Sequence, residues 1–194
     1  MKVKTLLVVA AAALLLCAPA FGQNLLTNGG FETGDFTGWT TGGNFGATGV
    51  TSGAFYEYTG AQEGNFYAYL GPVGSDATLS QSFTTTAGQQ YTFSFWIAAV
   101  GDDPSDFSAF WDGTQVYAVT DPNTGGQWTQ YSFTETGTGS DSITLSFRDD
   151  PAYIALDNVS VTPSASSVPE PSSFMLLGSG ALGLAGFLRR KFRG

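Results

Sequence analysis

Residues 91–98, with the sequence YTFSFWIA, place an aromatic or aliphatic residue at every odd position. Successive side chains in a β-strand point to opposite faces of the sheet, so residues two apart share a face. Alternation of this kind predicts a strand that is buried on one side. The side expected in the core carries Tyr91, Phe93, Phe95 and Ile97.

Short runs of the same kind lie on both sides of this stretch, and Gly, Asp, Asn and Pro, which favour turns, separate them. Asp112-Gly113 lies between two runs and is a residue pair that a type I′ hairpin prefers. We therefore expect an all-β fold, an antiparallel β-sandwich of about eight or nine strands over residues 23–162. The expected strands are an opening segment at 24–39, an element between 45 and 58, and runs at 65–70, 77–83, 91–98, 114–119, 128–135, 142–148 and 153–162.

Residues 1–22 have the three parts of a secretory signal peptide. Lys2 and Lys4 precede an apolar run over residues 6–16, and small residues follow it. Cleavage after Ala20 or after Gly22 fits equally well. A membrane or core helix is the alternative, but an apolar helix of this length is only about 16 Å long and too short to span a bilayer.

The other end of the chain also has the composition of a targeting segment. Residues 163–171 are rich in Ser and Pro and indicate a linker. Residues 174–188 are uncharged, and basic residues follow. We expect 172–194 to be a short transmembrane helix with a basic tail, which by the positive-inside rule leaves the β domain outside the inner membrane.

Three features at this end, in this order, resemble a PEP-CTERM sorting signal: Val168-Pro169-Glu170-Pro171, the apolar helix, and a basic cluster that includes Arg189 and Arg190. The resemblance implies passage through the export translocon and cleavage near residues 169–171 by an exosortase-type membrane protease. The protein would then reach the cell surface or the extracellular matrix. A plain tail anchor is the alternative.

Charge is distributed unevenly along the chain. Fifteen of the 16 acidic residues, but only one of the seven basic residues, Arg148, lie in residues 23–168, which gives that part a net charge of −14. Such a domain should repel nucleic acid and anionic lipid, and it should tolerate or bind cations. Solubility of an exported domain is the simpler explanation of the charge.

The chain has no histidine, and its single cysteine, Cys17, lies in the expected signal peptide. The mature domain can therefore have no disulfide, no Cys or His metal ligand, and no Ser-His-Asp or Cys-His catalytic group. Most hydrolase mechanisms are excluded, and we expect a non-catalytic protein. A carboxylate pair could still support a glycosidase.

Four parts of the domain, in this order, resemble the galactose-binding-like jelly roll of carbohydrate-binding modules. They are NGGFE at 28–32 with Gly38-Trp39, LSQSF at 79–83 with residues 88–96, WTQYSF at 128–133, and ALDNVSV at 155–161. The resemblance implies a jelly-roll sandwich and a structural calcium where the first and last strands meet, with no other cofactor required.

Glu32 and Asp157 match the carboxylates that hold calcium in that family. Calcium prefers hard oxygen ligands, which a domain without His and Cys supplies. Alternatively, the two carboxylates cap turns or accept hydrogen bonds from backbone N–H groups at strand ends.

Aromatic side chains are the candidates for sugar binding, because the C–H face of a pyranose stacks on a ring. Trp96 lies on the face opposite Phe93 and Phe95. The further candidates for an exposed face are Trp111, Tyr117, Tyr67 and Tyr69. These rings could instead fill a second core face, and we assign Trp39 and Trp128 to packing.

The expected function is that of a non-catalytic protein of the cell envelope or extracellular matrix that binds polysaccharide. A structural surface protein with no small ligand is the first alternative, and a carboxylate-dependent glycosidase is the second. The acidic loop at 101–106 could hold a second cation, although a solvated loop is the expectation there.

Overall fold

A computed structural model describes residues 22–164. The expected signal-peptide helix, most of the linker and the expected transmembrane helix lie outside the described residues. Within residues 22–164, no helix is long and apolar enough to cross a membrane.

Ten β-strands form this part of the chain. They are β1 (Thr40–Gly43), β2 (Thr48–Ser52), β3 (Phe66–Leu70), β4 (Ala77–Thr84), β5 (Gln90–Ala98), β6 (Ser105–Trp111), β7 (Thr114–Thr120), β8 (Thr129–Thr136), β9 (Ser140–Asp149) and β10 (Ile154–Pro163).

The strands form two five-stranded sheets in which all neighbours are antiparallel. The first sheet has the order β1-β4-β9-β6-β7, and the second has the order β2-β3-β10-β5-β8. Strands that are close in sequence often lie in different sheets, so the chain crosses repeatedly between the two layers. The expected all-β antiparallel sandwich is confirmed.

The core lies between the sheets and is built by alternating strand residues. On β5 the side expected in the core is buried, with Tyr91 3% exposed and Phe93, Phe95 and Ile97 fully buried. In the opening segment, Phe31 stacks on Trp39 with ring centroids 5.9 Å apart, and both are buried. The packing role expected for Trp39 is confirmed.

The turn at Asp112-Gly113 joins β6 to β7. Both residues have positive φ, at 47° and 77°. A type I′ turn requires positive φ at both central positions, so the hairpin expected from the residue pair is confirmed.

The opening segment runs beside β10 and joins the two ends of the described chain. Leu25 N donates to Val161 O at 2.8 Å, and Val159 N donates to the carbonyl oxygen of Gly29 at 2.9 Å. A Cβ at Gly29 would overlap the carbonyl oxygen of Val159, so glycine is required for this approach. The beginning of the domain is thereby held against its last strand.

A bulge interrupts β10 beside this contact. The register with β5 shifts between Asp157 and Ser160, and Asn158 has a φ of 48°. The extra residue turns Val159 into the core and leaves Asp157 on the outer face of the second sheet.

Residues 53–64 cover part of that outer face. They form a second buried cluster with Tyr67, Ala98 and Ala155, to which Tyr58 contributes. Trp128 packs at its margin and donates from Nε1 to Gly60 O at 3.1 Å. The packing role expected for Trp128 is confirmed.

Asp141 is the second residue of β9 and the first of that strand's buried row. It is 2% exposed, and its oxygens accept from the backbone N–H and hydroxyl of Thr138 at 2.9–3.1 Å and from the hydroxyl of Thr85. These hydrogen bonds outweigh burial and lower the pKa of Asp141 to about 2 from an ordinary 3.8. The carboxylate therefore stabilises the fold in its ionised form.

Asp141→Asn should lower the free energy of unfolding by about 1–3 kcal/mol at pH 6, because an amide cannot accept all of these bonds. A depressed pKa contributes stability above the ordinary value and loses it as pH falls toward 2. The free energies of unfolding of the wild type and the variant, measured with denaturant, should therefore converge between pH 4 and pH 2. A constant difference over that interval would contradict the assignment.

Candidate functional site

A pocket of about 330 Å³ opens where the opening segment, residues 62–66 and the β10 bulge meet. Its lining consists of Gly30, Glu32, Glu63, Gly64, Asp157 and Asn158. The two carboxylates singled out from the sequence, Glu32 and Asp157, are thus brought together. The three segments that form the pocket are far apart in the sequence and meet only in the folded chain.

Glu32 is an exposed side chain that reaches from the opening segment to the start of β3. Its Oε1 accepts from the backbone N–H of Asn65 at 2.8 Å and of Phe66 at 2.9 Å. The bond from Phe66 is the main reason that the pKa of Glu32 lies below its ordinary value. Glu32 is therefore an anion that ties residues 65–66 to the opening segment.

Asp157 has no exposed surface. Its Oδ2 accepts from the backbone N–H of Gln62 at 2.8 Å and of Glu63 at 3.2 Å, and its Oδ1 accepts from Asn158 N at 2.6 Å. Burial nevertheless dominates and raises the pKa of Asp157 to about 6, with a smaller contribution from the negative charge of Glu32. Asp157 is therefore a buried carboxylate that accepts hydrogen bonds but has no basic side chain among the residues of the pocket.

The Asn158 side chain completes the rim of the pocket. Its Nδ2 donates to Oε2 of Glu63 at 2.9 Å and to Oε1 of Gln62 at 3.2 Å. Sequence reasoning did not identify Glu63, Gly64 or Asn158, because nothing local indicates that residues 62–64 fold over the last strand.

The pocket offers oxygen ligands and no basic side chain. Glu32 Oε2 and Asp157 Oδ1 each have lone-pair capacity beyond the bonds described. Within residues 22–164, however, no three His, Cys, Asp or Glu side chains are grouped so that they could hold a metal ion. A calcium ion here would need backbone carbonyls and water besides the two carboxylates.

Trp96 lies next to the pocket on the outer face of the second sheet. It is directly opposite Asp157 on β10 and Gln130 on β8. The ring is half-buried, and within residues 22–164 its Nε1–H has no hydrogen-bond partner and no aromatic ring packs against it. No described aromatic ring therefore covers this indole, and part of its surface is exposed.

The other four aromatic candidates are placed differently. Trp111 is 5% exposed and packs against Phe83, with ring centroids 5.3 Å apart, while Tyr67 is fully buried. The expectation that these two lie on an exposed face is wrong, because Trp111 continues the inward row of β6 and residues 53–64 cover Tyr67.

Tyr117 and Tyr69 are half-buried and already engaged with other rings. Tyr117 packs on Tyr131 at 4.6 Å at the edge of the core, and Tyr69 packs on Phe55 at 4.4 Å. Of the five candidates, Trp96 alone presents a ring that no other described ring covers.

The fold is a β-sandwich like those of carbohydrate-binding modules. A family 61 carbohydrate-binding module in complex with β-1,4-galactotriose superposes with a TM-score of 0.59 at 22% identity, covering 73% of this chain and 99% of that one. A family 16 carbohydrate-binding module superposes with a TM-score of 0.51 at 20% identity over 72% and 99% of the two chains. The K1 cleaved adhesin domain of Lys-gingipain from Porphyromonas gingivalis W83 gives 0.52 at 17% identity over 70% and 96%.

The end of the chain is identified more specifically. Residues 167–191 match the PEP-CTERM protein-sorting motif, so the chain carries the sorting tail that its sequence resembles. The residues matched include Val168, Pro169, Glu170, Pro171, Arg189 and Arg190. No curated protein sequence matches this chain.

Gly64→Ala should destabilise the site beyond the ordinary cost of replacing a glycine. Gly64 has a φ of 74°, and a Cβ there would overlap the carboxylate of Glu32. Gly53 has the same φ of 74°, but a Cβ there would meet nothing within 4 Å. Gly53→Ala is therefore the matched control for backbone strain.

Thermal unfolding should show a lower melting temperature for Gly64→Ala than for Gly53→Ala. We expect a difference of about 1–3 kcal/mol in the free energy of unfolding, the cost of displacing a hydrogen-bonded carboxylate. Equal melting temperatures would show that Glu32 does not hold residues 64–66.

Proposed function

We propose that this chain is a non-catalytic exported protein whose β-sandwich binds polysaccharide on the outer face of the second sheet. The observation that carries the proposal is the open ring of Trp96, half-buried with a free indole N–H beside exposed polar strands. A tryptophan in this setting stacks on the C–H face of a pyranose while its N–H remains available to a hydroxyl.

The neighbours of Trp96 support a sugar rather than an apolar ligand. On β8, Gln130 and Ser132 are exposed on the same face as Trp96. Their amide and hydroxyl groups suit a chain of sugar hydroxyls, because they bond either donors or acceptors. Ser94, the next residue of the outer row on β5, is buried and bonded to Ser160 at 2.9 Å, so it supports the face rather than a ligand.

The hydrogen bonds of the pocket carboxylates support a structural role for the pocket and a binding role for the domain. Glu32 and Asp157 each accept from backbone N–H groups of residues 62–66 and so hold the chain around them in place. Carbohydrate-binding modules among the structural neighbours point in the same direction. At 22% identity or less this likeness establishes the fold only, so the polysaccharide remains our proposal.

The sorting tail supports export and processing. A PEP-CTERM motif implies a protein that passes through the export translocon and is anchored in the inner membrane in transit. We propose that an exosortase-type protease cleaves near residues 169–171 and that the product reaches the cell surface or the extracellular matrix. A surface location would bring Trp96 into contact with polysaccharides outside the cell.

We also propose that the pocket at Glu32 and Asp157 holds a structural calcium. The raised pKa of Asp157 reflects an anion buried beside a second anion, and a divalent cation would relieve both effects. The ion would fasten residues 62–66 and the opening segment to β10. Its role would be structural, because Trp96, although paired with Asp157 across the two strands, does not line the pocket.

Glu32→Gln should remove one bound calcium per chain, because the change takes away the charge and keeps the shape. Calorimetric titration of the full-length chain in detergent gives the stoichiometry, and Glu57→Gln is the control at an exposed carboxylate that does not line the pocket. At a calcium concentration of 100 Kd this site should stabilise the wild type by about 2.7 kcal/mol. Unchanged stoichiometry in Glu32→Gln would exclude calcium from the pocket.

Trp96→Ala should weaken polysaccharide binding by about 2 kcal/mol, or roughly 30-fold in affinity. The assay is a screen of the full-length chain against plant and bacterial polysaccharides, including β-1,4-galactan, with and without calcium. Tyr56→Ala is the control, because Tyr56 is 51% exposed on residues 53–64 and not on the β5 face.

Each other outcome of the screen identifies an alternative. Unchanged polysaccharide binding by Trp96→Ala would show that the ligand contacts another surface. A wild-type chain that binds no polysaccharide would favour a structural surface protein. Release of soluble sugar would favour a carboxylate-dependent glycosidase.

A further inference from the structure

The buried row of β9 has a carboxylate at each end. Its members are Asp141, Ile143, Leu145, Phe147 and Asp149, and all five are buried. Asp141 is fully hydrogen-bonded, as described above. Asp149 is 3% exposed, but its Oδ1 is buried and has no hydrogen-bond partner within residues 22–164.

Asp102 lies beside Asp149, and it also has a buried carboxylate oxygen that lacks a hydrogen-bond partner in the described chain. Ser105 is the residue directly opposite Asp149 on β6, and its hydroxyl donates to the carbonyl oxygen of Asp102 at 2.6 Å. Ser105 N also donates to Oδ1 of Asp121 at 3.0 Å, which fixes the loop. The Oδ2 of Asp102 is likewise buried and lacks a partner in the described chain.

The surroundings of Asp149 add more negative charge than they compensate. Burial, and then the charges of Asp102, Asp150 and Asp121, raise its pKa to about 7, against a smaller opposing effect of the backbone N–H of Ala152. The single base of the described chain, Arg148, pairs with Asp150 at 3.2 Å.

The aromatic residues of segment 53–60 cover the same region and do not supply a donor to Asp149. Tyr58 donates its hydroxyl to Tyr153 O, and the charges of Asp149 and Asp102 add to burial in raising the pKa of Tyr58. Burial and the same two charges also raise the pKa of Tyr56. These phenols are therefore neutral neighbours rather than counter-charges.

We propose that Asp102 and Asp149 bind a hard cation of the Ca²⁺ class between the end of β9 and the loop before β6. Two unpartnered carboxylate oxygens shielded from water are the ligands that such an ion prefers. A single shared proton would satisfy only one negative charge, whereas a divalent ion compensates both. A sugar could not reach oxygens that have no exposed surface.

The site would complete its coordination with backbone carbonyls and water. Calcium takes six to eight oxygens, and side chains alone do not form a three-residue metal group in the described chain. This site is separate from the pocket at Glu32 and Asp157, and it does not depend on polysaccharide binding. Its effect would be to fix the loop at 101–106 against β9.

Calorimetric titration of the full-length chain with Ca²⁺ alone tests this inference. Asp149→Asn and Asp102→Asn should each abolish the binding of one Ca²⁺ or lower its affinity at least tenfold. Asp103→Asn is the matched control, because Asp103 is exposed and adjacent to Asp102. The Glu32→Gln variant should lose a different ion, so the two sites are distinguishable.

Thermal unfolding in a chelator gives a second readout. Without cation, Asp149→Asn should melt no lower than the wild type, because it removes an uncompensated buried charge. If Asp149→Asn does not fold, the stoichiometry of Asp102→Asn decides. A wild type that binds no ion sensitive to Asp102→Asn, or equal binding in all variants, would overturn the inference and leave a shared proton as the explanation.

Discussion

The buried carboxylate of Asp157 holds residues 62–63 against the second sheet, and the arrangement of that face depends on it. A carboxylate without exposed surface must be compensated, and here backbone N–H groups of the covering segment provide the bonds. Opening of the segment would remove two of the backbone donors of Asp157. The pocket at Glu32 and the burial of Tyr67 follow from this contact, while Trp96, on the neighbouring strand, stays open.

The domain is rich in acidic residues, and its three buried aspartates differ in how their charge is compensated. Asp141 is saturated with hydrogen-bond donors and stays ionised at low pH. Asp157 receives backbone donors but remains beside another anion. Asp149 has an oxygen with no donor at all. With Arg148 as the single described base, compensation must come from N–H groups, protons or cations.

The proposed functions depend on different groups of residues. The ring of Trp96 would contact a polysaccharide, the two acidic sites would hold cations, and the tail at 167–191, which matches the PEP-CTERM motif, would direct sorting. Sandwiches of this kind support many tasks, so the assignment depends on these particular side chains rather than on the fold. Cations that fix loops would suit residues 22–164, which contain no cysteine and therefore no disulfide.

The sequence by itself determined the local features: the strand at 91–98 with its inward residues, the hairpin at Asp112-Gly113, the packing roles of Trp39 and Trp128, and the sorting tail. Each follows from neighbouring residues, because the period of a strand and the chemistry of a turn are local. Only the tertiary structure decided what covers each face. It buried Tyr67 and Trp111, left Trp96 open and brought Glu63 and Gly64 beside Glu32 and Asp157, because those contacts join residues that are far apart along the chain.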